Sequence, residues 1–134
     1  MAKLSQIEGI GKKFATKLEK AGIGTLETLL KNGCTKKDRK NLAKTTGISK
    51  KLILKWVNRA DLSRIKGIGT QYADLLEASG VDTVPELAKR KPDNLVEKMQ
   101  KVNKKKKLVR LAPGLSRVED WKAQAKKLPK VVKH

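Results

Sequence analysis

Histidine and cysteine are almost missing from this chain. The one cysteine is Cys34 and the one histidine is His134. A lone cysteine excludes an intramolecular disulfide and points to the cytoplasm. Two such residues cannot form a Cys/His cluster, so no metal site is expected. Cys34 has no histidine near it in sequence to serve as a base, and the carboxylates are scattered rather than paired. The chain is therefore expected to be no enzyme and to carry no cofactor. No apolar run reaches 18 residues and no hydrophobic leader is visible, so neither a membrane span nor secretion is expected.

Aromatic residues are also scarce: Phe14, Trp56, Tyr72 and Trp121 are all there are. A chain of 134 residues should bury roughly two thirds of its unfolded surface. That core must consist of Leu, Ile, Val and Ala. The two tryptophans stand at matching places in apolar stripes, and Tyr72 aligns with Phe14. All four read as core residues, which leaves no platform on which bases of a single strand could stack.

Acidic residues are the third shortage, 13 against 33 basic ones, for a net charge of +20. Residues 1–60 hold 15 basic and 4 acidic groups and residues 61–134 hold 18 and 9, so the halves carry +11 and +9. Neither half is a neutral domain with a basic tail. Such a field favours polyanions. Lysines outnumber arginines 27 to 6. Lysine meets phosphate as a point charge, whereas arginine more often reads guanine edges, so backbone contact is expected over sequence reading.

What is abundant is repetition. LSQIEGIG at residues 4–11 returns as LSRIKGIG at residues 62–69, and between residues 4 and 31 the offset of 58 gives 13 identities in 28 positions. An insertion of seven residues in the second copy then aligns Trp56 with Trp121. The chain is one unit written twice. The expected division is a first repeat over 1–60, a second over 61–128 and a frayed basic tail over 129–134.

Helical periodicity dominates and strand alternation is absent, so an all-α fold of about ten short helices is expected. Short turns over 4–8 and 62–64 precede each Gly-Ile-Gly. Thr25, Thr35, Ser49, Thr83 and Ser116 stand as N-caps, and Pro92 opens a further helix. The stripe Leu52, Ile53, Trp56, Val57 and Ala60 is the strongest in the chain.

The two Gly-Ile-Gly hairpins carry the functional expectation. Each stands before an amphipathic helix, where glycines let backbone approach an anion and the first N–H groups of the helix lack partners. The pattern, with its repeat, resembles the tandem helix-hairpin-helix family, and also a bacterial and archaeal family of tandem helix-hairpin-helix domains without assigned function. The resemblance runs from about Leu4 to Leu128. It implies two units about a pseudo-two-fold axis that grip the phosphates of double-stranded DNA across the minor groove without reading sequence. The residues it assigns to the contact are Gly9, Ile10, Gly11, Lys12 and Lys13 in the first copy, and Lys66, Gly67, Ile68, Gly69, Thr70 and Gln71 in the second. Thr70 and Gln71 replace the lysine pair, which implies a weaker or differently shaped second contact.

Other glycine readings fail. A P-loop ending at Gly11-Lys12 would need glycine at Gln6 and a hydroxyl at Lys13, and a dinucleotide fingerprint would need glycine at Phe14 or Tyr72. Two rivals stay open: an RNA- or ribosome-associated binder, and a protein-interaction scaffold in which the glycines merely connect helices. The lysines at 104–107 read equally as a phosphate track or a solvated linker. The polar helix with Lys36, Lys37, Arg39, Lys40 and Lys44 reads rather as a solvated face. A cytoplasmic, nucleoid-associated monomer is the expectation, with dimerisation left open.

Overall fold

The structure is a computed structural model and describes Leu4 and residues 10–132, Thr70 by its backbone alone. Among the described residues there are eight helices and no β-strand, so the protein is all-α. The chain divides into two compact units between Asp61 and Leu62, with residues 131–134 grouped with the first.

The first unit holds α1 (Gly11–Lys20), α2 (Leu26–Asn32), α3 (Lys36–Thr46) and α4 (Lys50–Leu62). Helix α1 ends in a Schellman motif: Ile23 N–H donates to Leu18 O at 2.9 Å and Gly22 N–H to Glu19 O at 3.0 Å. A capping box opens α2, with Thr28 in the place usually held by Glu. Thr28 N–H donates to Thr25 Oγ1 and Thr25 N–H donates to Thr28 Oγ1. Thr35 Oγ1 likewise accepts from Asp38 N–H at the start of α3, and Ser49 Oγ accepts from Leu52 N–H at the start of α4. These four local solutions satisfy helix ends that would otherwise expose unpaired backbone.

Packing then follows the apolar stripes. Ala15 and Leu18 of α1, Leu26 and Leu29 of α2, and Ile53, Trp56, Val57 and Ala60 of α4 are buried in one core with Ile10, Ile23 and Ile48. Val132 joins this core at 2 % exposure, so the expected frayed tail is corrected at that residue. The Phe14 and Trp56 rings meet at 5.3 Å and 52°, a tilted pair that ties α1 to α4.

The second unit holds α5 (Thr70–Ala78), α6 (Val84–Lys89), α7 (Pro92–Lys106) and α8 (Leu115–Lys127). Two features of the first plan return, while the side-chain N-caps do not. Val81 N–H donates to Leu76 O at 2.8 Å and Gly80 N–H to Glu77 O at 3.0 Å, repeating the Schellman ending. Tyr72 and Trp121 meet at 5.3 Å and 57°, repeating the aromatic tie. The core comprises Leu75 and Leu76 of α5, Val84 and Leu87 of α6, Leu95 and Met99 of α7, and Val118, Trp121 and Ala125 of α8, with Ile65 and Ile68 from the hairpin.

Three expectations need adjustment. The turn over 62–64 is no separate helix, because α4 runs on without a breaker through Leu62 and only then enters the turn. Of the turn over 4–8 only Leu4 is among the described residues, and it is buried. Ser116 is not an N-cap: Gly114 holds that position in extended geometry, its carbonyl accepts from Val118 N–H at 3.2 Å, and Ser116 falls inside the first turn.

Gly33 shows how tightly the first core is closed. A Cβ built there would lie 2.6 Å from Val57 Cγ2 and 3.1 Å from Leu29 O. Gly24 has nothing within 4 Å of such a carbon. Gly33→Ala is therefore expected to destabilise the protein by about 1–3 kcal/mol. Gly24→Ala is expected to change stability by less than about 1 kcal/mol. Urea unfolding of the two variants beside the parent protein checks the contrast.

Candidate nucleic-acid interface

The second hairpin is built from below. Ile65 and Ile68 are buried, while Lys66, Gly67 and Gly69 between and after them are exposed. Ile65 N–H donates to Leu62 O and Ile68 N–H to Ile65 O, both at 3.2 Å, which closes the turn. Helix α8 holds it from the side. Gln124 accepts from Lys66 N–H at 2.9 Å and donates to Lys66 O at 3.2 Å, and its amide also donates to Asp120 Oδ2 at 3.0 Å. Gly67 adopts φ +99°, and a Cβ there would meet Trp121 Nε1 at 2.9 Å. Glycine is thus required at 67 by both backbone angle and space.

Among the described residues, nothing accepts from the N–H of Gly67 or Gly69. Gly69 is the N-cap of α5 with no side-chain capping bond, and the first turn of α5 holds no acidic residue. The first N–H groups of α5 therefore have no intrahelical acceptor. An anion placed there would meet backbone donors and the positive end of the helix dipole. Lys66 and Gln71 are exposed beside it.

The first hairpin reaches a similar end by a different backbone. Ile10 is 1 % exposed and anchors it, and Gly11, Lys12 and Lys13 are exposed. Here the second glycine of the motif, Gly11, takes φ +67°, whereas its counterpart Gly69 sits at φ −90°. Nothing lies within 4 Å of a Cβ at Gly11, so its need for glycine is conformational alone. Helix α1 also lacks a side-chain cap and an acidic residue in its first turn. Gly9 lies outside the described residues, as does the side chain of Thr70. The two hairpins are therefore matched in sequence and in the burial of Ile10 and Ile68, but differ at the second glycine of the motif, left-handed at Gly11 and not at Gly69.

Helix dipoles sort the lysines. Lys104, Lys105 and Lys106 fill the last turn of α7, and Lys107 closes it with its N–H on Asn103 O at 2.7 Å. Cations complement that end of a helix, so the run is accounted for without a ligand. Lys12 and Lys13 in α1, Lys36 and Lys37 in α3, and Lys50 and Lys51 in α4 occupy first turns, where the dipole repels them. The last four, with Arg39, Lys40 and Leu54, border an open groove of about 810 Å³ whose wall is mainly apolar. Lys36, Lys37 and Lys40 are exposed, in keeping with a solvated face, and the fold adds that they border this concavity. Its signal was present as paired lysines directly after the caps Thr35 and Ser49. Arg39 itself is 4 % exposed and donates from Nη1 to Gly33 O at 2.8 Å. Burial lowers its pKa, against the opposing pull of Cys34 and Asp38.

Among the described residues, no group of three or more His, Cys, Asp and Glu side chains could hold a metal ion, and no helix is long and apolar enough to cross a membrane. A family model described as a domain of unknown function (DUF4332) matches residues 8–128, so the chain belongs to that family. Searches of curated proteins and of solved structures gave no match.

The hairpin geometry separates its glycines. Gly67→Ala is expected to cost about 1–3 kcal/mol through strain at φ > 0 and the collision with Trp121. Gly69→Ala, with an ordinary φ and open space, is expected to cost less than about 1 kcal/mol. Thermal unfolding of both variants tests the assignment; equal losses would contradict it.

Proposed function

We propose that this protein binds double-stranded DNA without sequence preference and without catalysing a reaction. It would act at the nucleoid in the cytoplasm, or as a repair or replication accessory. The observation that carries the reading is the pair of exposed, uncapped helix N-termini at Gly11 and Gly69. Each follows a hairpin rooted in the core by a buried isoleucine, and neither has an acidic residue in its first turn. Backbone N–H groups at such ends suit phosphate oxygens and read no base. Lys12, Lys13 and Lys66 supply neutralising charge beside them. The resemblance to tandem helix-hairpin-helix proteins and the net charge of +20 support the same reading.

Counterion release makes the proposal quantitative. With about six phosphates engaged, the slope of log affinity against log salt is expected to be roughly −5. Fluorescence anisotropy of a labelled random-sequence duplex across a salt series measures it, with an RNA duplex as competitor. No binding at moderate salt would transfer the assignment to a protein partner, and preference for the RNA duplex would transfer it to an A-form target.

The hairpin contribution is tested by two substitutions. Gly11→Val places a β-branched residue at φ +67° and disturbs the donors at the start of α1. It is expected to weaken duplex binding about tenfold or more. Lys12→Ala removes one phosphate contact, an effect of roughly threefold between 50 and 150 mM salt. Circular dichroism confirms that both variants remain helical. Small and equal effects would exclude the hairpin as the clamp.

A further inference from the structure

We propose that the groove between α3 and α4 is a second seat for the phosphate backbone of nucleic acid, separate from the hairpins. The inference rests on the DNA-binding reading above but on different residues. Lys36, Lys37, Arg39 and Lys40 come from α3, and Lys50 and Lys51 from α4. All six are cationic, and the one other lining residue is Leu54. No carboxylate is among them. A volume of about 810 Å³ lies in the range of ligand sites, about 300–1,000 Å³.

Placement makes the argument stronger than the charge count. Four of these lysines stand in the first turns of two helices, where the macrodipoles and their own neighbours oppose them. Only Asp38 offsets this in the first turn of α3, and the first turn of α4 has no acidic residue. A sequence that keeps cations where folding disfavours them violates local consistency, which is characteristic of a binding site. A bound anion reverses the sign of the conflict, because the lysines attract it and it relieves their mutual repulsion.

The chemistry of the lining selects the occupant. Lysines bind phosphates as movable point charges. Arg39, the one residue with a base-reading fork, is buried and already spends Nη1 on Gly33 O. Leu54 and the lysine stems offer an apolar floor suited to sugar faces. The groove thus fits a phosphodiester backbone held without base recognition.

The test compares two variants of the full chain that lose equal charge. One is Lys36→Ala/Lys37→Ala/Lys50→Ala/Lys51→Ala. The other is Lys104→Ala/Lys105→Ala/Lys106→Ala/Lys107→Ala. Circular dichroism and thermal unfolding establish that each stays folded, and duplex affinity is measured by anisotropy over the same salt series. The groove variant is expected to lose at least tenfold more affinity near 150 mM salt, with a slope shallower by about 3 to 4. Equal losses in the two variants would reduce the groove to general attraction and overturn the proposal, while leaving duplex binding intact. No binding by the parent protein would overturn the DNA reading and the groove with it. A groove effect beside an inert Gly11→Val would retire the hairpin clamp and uphold the groove.

Discussion

Each unit hangs on one buried tryptophan in its last helix. Trp56 and Trp121 are both 1 % exposed, and each meets the aromatic ring of the first helix, Phe14 or Tyr72, at 5.3 Å. The hairpins precede those first helices, so the tryptophans fix where the hairpins stand. In the second unit the dependence is direct. Trp121 fills the space beside Gly67, and Gln124, one turn further along α8, holds both backbone groups of Lys66. A surface loop rich in glycine would ordinarily lose much conformational entropy on ordering. Anchoring by Ile65, Ile68, Trp121 and Gln124 meets that cost within the fold, and the hairpin backbone is held in place before any ligand arrives.

The same fold assigns the lysines by position. With 27 lysines in the chain, their number alone distinguishes nothing. Helix polarity does. The run at 104–107 closes α7 at the end where cations are welcome. The lysines at 12, 13, 36, 37, 50 and 51 start helices, where they are not. A merely soluble surface could have distributed them toward C-termini at no loss of net charge. All six stand at helix N-termini of the first unit, and only α3 has an acidic residue in its first turn.

Much of the architecture was legible in the sequence because it is local. Glycine at 22 and 80 announced two helix ends that are both Schellman motifs, and Thr25, Thr35 and Ser49 announced caps whose side chains make the bonds. The alignment of Trp56 with Trp121 announced two equivalent aromatic ties. What was not legible depends on tertiary contact. The capping partner Thr28 replaces the usual acid, Val132 finds a core despite its basic surroundings, and Gly114 displaces Ser116 as a cap. The groove stayed hidden for the same reason: Lys36 and Lys50 belong to different helices, and only the fold sets both along one concavity. For the hairpins, sequence identity was a poor guide to backbone angle, since Gly11 and Gly69 differ by more than the motif could reveal.

The second halves of the two copies differ as well. At the offset of 65 that aligns the tryptophans, Gln124 falls opposite Arg59, and Asp120 opposite Lys55. The amide clamp on Lys66 and the carboxylate that steadies it are therefore written only into the second copy. The first copy places at those positions two cations, which cannot accept from a backbone N–H. In the second unit Gln124 and Asp120 brace the hairpin from the last helix. The first unit went the other way, with Lys12 and Lys13 where the second has Thr70 and Gln71, and with the cationic groove on α3 and α4. The second unit thus carries less exposed charge beside its hairpin than the first.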